Sequence, residues 1–158
     1  MAHEYRATIS WRRGDQPFTD RKYSRGHVWH FDEGIEVPGS SSPLVVPNHS
    51  VAAAVDPEEA FIASLSSCHM LFFLDLAARA GFRIDAYEDA ATGEMAKNEA
   101  GKLHVAKVTL NPAIVFSGDR RPSEAEIAAL HHRSHEECFI ANSVRTDVVT
   151  AIVPPKFA

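Results

Sequence analysis

Two cysteines, Cys68 and Cys138, are the side chains of this 158-residue sequence best suited to covalent chemistry. They are far apart in the chain and form no Cys-x-x-Cys, so the spacing of a thioredoxin-type motif or a zinc ribbon is missing. Structural disulfides are uncommon in a reducing compartment, which leaves two unrelated core thiols or a redox couple. Histidines cluster around both: His69 follows Cys68, and His131, His132 and His135 precede Cys138. Together these side chains could offer soft ligands to zinc or copper, with His135 three residues before Cys138 on one helical face. Solvated histidines on a polar helix are the simpler reading. A Cys-His hydrolase using His49, His69 or His104 lacks a nucleophile elbow or an oxyanion motif. His27 and His30 alternate on a strand and suit a surface or an interface.

The element that must position the first thiol is a helix beginning at Asp56 and stopping at Gly81. Asp56 is a good N-cap acceptor, Pro57 fits the first helical position, Glu58 and Glu59 face the positive end of the dipole, and Gly81 suits the left-handed stop. The helix spans roughly 36 Å. Apolar residues occupy most of its circumference, so burial on nearly every side is expected. Phe61, Leu65, Cys68 and Phe72 share a stripe, placing the thiol midway along a helix inside an apolar core. A cysteine there is by default a small hydrophobe.

Alternation predicts a strand over residues 3–12, a turn at Gly14–Pro17 and a second strand over 21–32, an antiparallel hairpin with Arg25 near its middle. A short strand, Ile35–Val37, precedes an irregular segment from Leu44 to Val55. Beyond Gly81 come strands over 84–96 and 102–116 with a turn between them, bent at Gly93 and Pro112. Ser123 to Glu126 is a capping box opening a second helix with Ile127, Leu130 and Cys138 apolar and the histidine run exposed. A new helical turn starting near Cys138 would favour a thiolate through its free amides. A strand over 147–153 ends at Pro154-Pro155. Strands segregated from helices in this order predict an α+β fold, an antiparallel sheet packed against a long central buried helix, in one domain over 1–158.

Composition narrows the function classes. Sixteen basic and 21 acidic residues give a formal charge of −5 with no basic tract, which argues against a nucleic-acid or anionic-membrane surface. The most apolar window holds Cys68, His69, Asp75 and Arg79, unlike a membrane span. The first residues carry no charged-then-apolar export pattern, so a cytoplasmic location is expected. No nucleotide-binding loop is visible and no cofactor is expected.

Asp56-Pro-Glu-Glu, then Cys68, then Ala80-Gly-Phe resembles the signature of the OsmC/Ohr family, of osmotically inducible protein C and the organic hydroperoxide resistance protein. Cys138-Phe-Ile-Ala-Asn resembles its resolving-cysteine motif, with Phe139 where the family has Pro. Ser24-Arg25-Gly26 resembles the stretch with its active-site arginine, although Arg12, Arg13 and Arg21 lie nearby. The resemblance implies an OsmC-like fold in an intertwined homodimer and a thiol peroxidase acting on organic hydroperoxides and hydrogen peroxide, re-reduced by an external dithiol or a lipoylated protein. It implies Cys68 as peroxidatic thiol, Cys138 as resolving thiol closing an intrachain disulfide, Arg25 as thiolate and peroxide partner, and Glu58 as the carboxylate positioning that arginine. Alternatives are a non-catalytic OsmC-fold stress protein binding a small apolar ligand, or the Cys/His metal-binding protein.

General chemistry agrees with these residue types. A buried thiol is mostly protonated at neutral pH, and a guanidinium beside it offsets the cost of the thiolate. Attack on a peroxide leaves a sulfenic acid, which condenses with a second thiol before over-oxidation. An apolar pocket favours alkyl hydroperoxides by about 0.8 kcal/mol per buried methylene. Glu58, however, precedes Cys68 by about 15 Å of helix. Serving that thiol requires a second subunit or a broken helix; the first is the expectation, and it makes the dimer obligatory. A Glu58 that only complements the helix dipole is the plain alternative.

Overall fold

The computed structural model describes residues 3–158 in two compact units, one ending at Ala60 and one running from Phe61 to Ala158. The fold is α+β, with two α-helices and three small sheets.

The first unit holds β1 (Thr8–Ser10), β2 (His27–His30) and β3 (Glu36–Gly39), paired antiparallel in that order. The register sets Ile9 opposite Trp29 and Trp29 opposite Val37. The hairpin expected from alternation is present but its strands are short, and Arg25 lies just before β2 rather than in mid-strand. Rings explain part of the irregular backbone between them. Trp11, Phe18 and Tyr23 pack together at centroid distances of 4.7 to 5.9 Å, and Trp11 donates its indole N–H to the Ser24 carbonyl. At Gly39 a Cβ would lie 2.5 Å from Trp29 Nε1 and 2.6 Å from His27 Nε2, atoms already joined by a hydrogen bond.

Helix α1 (Pro57–Arg79) runs unbroken. Asp56 Oδ1 accepts from the Glu59 N–H at 2.8 Å while Glu59 Oε2 accepts from the Asp56 N–H at 3.1 Å, a reciprocal capping box with aspartate as the cap. Gly81, at φ 78°, stops it as expected, with the Phe82 N–H reaching back to Ala77 O.

The second unit contains β4 (Arg83–Asp89), β5 (Thr92–Lys97), β6 (Leu103–Leu110), β7 (Pro112–Ser117), α2 (Glu124–Glu137), β8 (Asp147–Thr150) and β9 (Lys156–Phe157). The two long strands expected after Gly81 each change sheet partway. One sheet is β4-β7-β9 and the other β5-β6-β8. The breaks fall at residues 90–91 and at Asn111, so the bend expected at Gly93 lies slightly earlier, and a bulge follows at Glu94/Met95. The expected antiparallel sheet is mixed, because β8 and β9 add in parallel to β6 and β7. Asp89 fastens the corner: its carboxylate accepts from the Asn111 N–H at 2.6 Å and from the Ser66 hydroxyl of α1 at 2.5 Å.

Two apolar clusters hold this unit. Phe73, Leu76 and Ala77 of α1 pack with Phe82, Ile114 and Phe116 and with Ile127 and Leu130 of α2. Leu65 packs with Val108 and Leu110. The expectation that α1 is buried on nearly every side is corrected. Its buried residues are the stripe Leu65, His69, Phe73, Leu76 and Ala77, whereas Leu71 is 63% exposed. The helix is long and apolar enough to cross a membrane by composition alone, but this stripe is committed to a protein core.

Candidate active site

Both cysteines belong to the second unit and are brought together there. Cys68 is half-buried on the side of α1 turned away from the sheet core, so the stripe expected through Leu65, Cys68 and Phe72 divides: Leu65 enters the core and the other two face a groove. Cys138, 1% exposed, is the C-cap of α2, where the backbone leaves helical geometry. Cys68 is near enough to Cys138 to act on its titration.

Cys138 is pushed up to about 11, first by burial and then by the neighbouring Cys68. The Ala141 N–H, 3.4 Å from its sulfur, and the Ile140 amide pull in the opposite direction. A helical turn does restart at Ala141–Ser143, as expected, but its amides do not outweigh burial, and the expected stabilised thiolate at Cys138 is corrected to a protonated thiol.

The groove beside Cys68 measures about 500 Å³. Successive turns of α1 supply Ser64, Cys68, Leu71 and Phe72, and Phe139 and Ile140 form the opposite wall. Phe72 and Phe139 meet edge to face at 5.1 Å, and Phe139 remains 70% exposed. An ion pair between Arg79 and Asp75 at 2.9 Å lies at one end. The lining is mainly apolar around one thiol, a setting for an apolar substrate.

The two remaining sequence candidates lie in the first unit. Arg25 donates Nη1 to the Tyr23 carbonyl and Nη2 to the Arg21 carbonyl, and its guanidinium carbon lies 3.7 Å over the centre of the Tyr23 ring. Glu58 is half-buried in the first turn of α1. Because α1 does not break, Glu58 keeps its separation of about 15 Å from Cys68 along the axis.

The sequence reading missed a buried pair. His69 Nε2 and His131 Nδ1 are 3.0 Å apart. The rings are nearly parallel, with centroids 5.3 Å apart. His131 is thus not one of the solvated histidines expected on α2. Burial lowers both rings to about 4, assisted by His135 for His69 and by His69 for His131, while Asp89 partly restores His69. His69 Nδ1, His131 Nε2 and the Tyr87 hydroxyl are buried with no protein partner, and burial and the neighbouring Asp89 push Tyr87 up. Helical spacing carried the signal: His69 falls four residues after Leu65 and four before Phe73, and His131 four after Ile127. Among the described residues no group of three or more His, Cys, Asp or Glu side chains is placed to hold a metal ion.

A model of the OsmC-like protein family matches residues 49–153. Among solved structures, the chain is similar to an OsmC-like protein of unknown function from Vibrio cholerae, with TM-score 0.94 and 51% identity over 96% of this chain and 100% of that one. An OsmC-like protein from Mycoplasma pneumoniae aligns at TM-score 0.74 and 16% identity, covering 99% of both chains. The organic hydroperoxide resistance protein OhrB of Bacillus subtilis aligns at TM-score 0.62 and 14% identity, covering 99% of this chain and 98% of that one. The last two likenesses are of fold. No curated protein matches the sequence.

Proposed function

We propose, from the premise that this chain belongs to the family of OsmC-like proteins, that it is a thiol-dependent peroxidase reducing organic hydroperoxides and hydrogen peroxide. The observation that carries this reading is the neighbouring pair Cys68 and Cys138, one thiol facing an apolar groove and the other sealed behind it. That proteins of similar fold include organic hydroperoxide resistance proteins supports this reaction class.

Cys68 is the peroxidatic thiol. Its thiolate attacks the terminal peroxide oxygen, the O–O bond breaks, the alkoxide leaves and is protonated to the alcohol, and Cys68 becomes a sulfenic acid. Cys138 is the resolving thiol. Its sulfur attacks the sulfenic sulfur, an S–S bond forms, and hydroxide leaves with the Cys138 proton as water. Burial, the first cause of the raised value of Cys138, persists through this step, so the resolving thiol must shed its proton as the S–S bond forms. An external dithiol or lipoylated protein then reduces the disulfide.

Arg25 is assigned as the cationic partner of thiolate and peroxide, a role that requires it to exchange its bonds to the Tyr23 and Arg21 carbonyls. Glu58 is assigned to position Arg25. Its distance from Cys68 along an unbroken α1 supports a homodimer in which one subunit's Glu58 serves the other's thiol. A reducing, cytoplasmic compartment suits such a thiol pair.

Peroxide consumption with dihydrolipoamide as reductant, in the parent and in Cys68→Ser and Cys138→Ser, tests the reading. Turnover in the parent and its loss in both variants is expected. A parent inert toward cumene, tert-butyl and hydrogen peroxides would overturn it and leave the groove as a site for a small apolar ligand.

A further inference from the structure

The proposed reaction makes no use of His69 and His131, the most unusual buried groups in the protein. They are 1% and 3% exposed, and their 3.0 Å contact is a buried side-chain hydrogen bond joining α1 to α2. Phe73 covers His131 at a centroid distance of 4.3 Å. In the neutral pair one ring donates its N–H to the other's lone pair, whichever tautomer is chosen. That leaves one lone pair and one N–H, at His69 Nδ1 and His131 Nε2, without a protein partner.

As a contribution to stability this arrangement is poor. Each unpartnered buried polar atom carries an uncompensated desolvation cost, and two apolar side chains of similar shape would avoid it. Its place in the fold suggests another use. His69 directly follows Cys68, and His131 lies two helical turns before Cys138, the residue that caps α2. The apolar cluster that α1 and α2 share is non-directional and tolerates a slide of a fraction of an ångström. A hydrogen bond tolerates little change in distance or angle.

We infer that the His69–His131 hydrogen bond is a positioning contact that fixes how far apart the two sulfurs sit, and so governs closure of the Cys68–Cys138 disulfide. The inference rests on the peroxidase reading for its role in turnover. It concerns only the second step: peroxide attack needs Cys68 alone, whereas S–S formation needs the carbon frameworks of both cysteines within a narrow range. A displacement near 1 Å can slow such a step about 100-fold.

Four variants test it. His69→Leu and His131→Leu keep approximate bulk and delete the bond. His69→Gln and His131→Asn place an amide near Nε2 and Nδ1 respectively and can keep it, while removing the unpartnered ring atoms. After one equivalent of cumene hydroperoxide, the leucine variants should form Cys68 sulfenic acid at the parental rate but close the disulfide about 100-fold more slowly, with dimedone-trapped and sulfinic Cys68 accumulating. The amide variants should close within a few-fold of the parent. Leucine variants that close at the parental rate, or amide variants as slow as the leucine ones, overturn the inference. Titration of the Cys68–Cys138 couple in a dithiothreitol redox buffer separates this from failure of the peroxidase reading, because it needs no peroxide. A disulfide constant lowered at least about tenfold in the leucine variants alone supports positioning; equal constants in parent and leucine variants refute it even if no sulfenic acid ever forms. Far-UV circular dichroism of each variant checks that its helices are intact.

Discussion

Acidification from pH 7.5 to 4.5 should remove about 5 kcal/mol of folding stability through His69 and His131 alone. Both rings have their values lowered from 6.5 to about 4, mainly by burial. The groups facing the pair are His135 on α2, whose charge opposes protonation of His69, and Asp89 on β4, which favours it. Since each folded value lies below the unfolded one, the unfolded chain binds the proton first as the pH falls. Stability is therefore complete above pH 6.5, is lost between 6.5 and 4, and changes little further below 4. Linkage gives roughly 2 to 3 kcal/mol per ring at pH 4.5, a large part of the 5 to 15 kcal/mol that holds an ordinary domain. Urea unfolding at pH 7.5, 6.5, 5.5 and 4.5 should be compared between the parent and the double variant His69→Gln/His131→Asn. Carboxylates common to both chains cancel, so the parent's excess loss reports the two rings. If parent and double variant lose the same stability across this window, the buried neutral pair is wrong.

Three other outcomes follow from the same structure. Phe139→Ala removes one wall of the groove and the edge-to-face partner of Phe72, so kcat/KM for cumene hydroperoxide should fall about 3- to 10-fold with little change for hydrogen peroxide; parallel losses on both substrates would argue against an apolar-substrate groove. Disulfide closure in single-turnover stopped flow should quicken with pH between 7 and 9, by up to about tenfold per unit, because burial, the first cause of its raised value, keeps Cys138 mostly thiol in that range whatever the state of Cys68; a flat profile would contradict a protonated Cys138. Gly39→Ala should destabilise the first unit by about 1 to 3 kcal/mol and shift the Trp29 emission, since the new methyl would meet the Trp29–His27 hydrogen bond; an unchanged melting curve would mean that the rings move aside at no cost.

Local chemistry made the two helices legible. Asp56, Pro57 and Gly81 fixed the limits of α1, and Ser123 with Glu126 fixed the start of α2, because caps act within one turn. The spacing of cysteines and acidic residues carried the family resemblance, and the two cysteines lie near each other. Features requiring contacts between distant segments were less visible. Nothing local at 90–91 says that a strand leaves one sheet for another, and the parallel addition of β8 and β9 depends on where β6 and β7 lie. Cys138 was misjudged because its amides are written in the sequence around it, whereas its burial comes from the rest of the unit. The burial of His131 was hidden by its polar neighbours, although the spacing from Ile127 pointed inward.

The corner at Asp89 restricts how this protein can be altered in length. One carboxylate latches Ser66, two residues before Cys68, and the backbone of Asn111. A residue gained or lost at 90–91 or at 111 would shift that latch and disturb α1 beside Cys68. Among the described residues, the tip at Asn98–Gly101 bonds only to itself and to Lys102. Insertions, labels or affinity handles belong at the tip, where the sulfur pair would not register their presence.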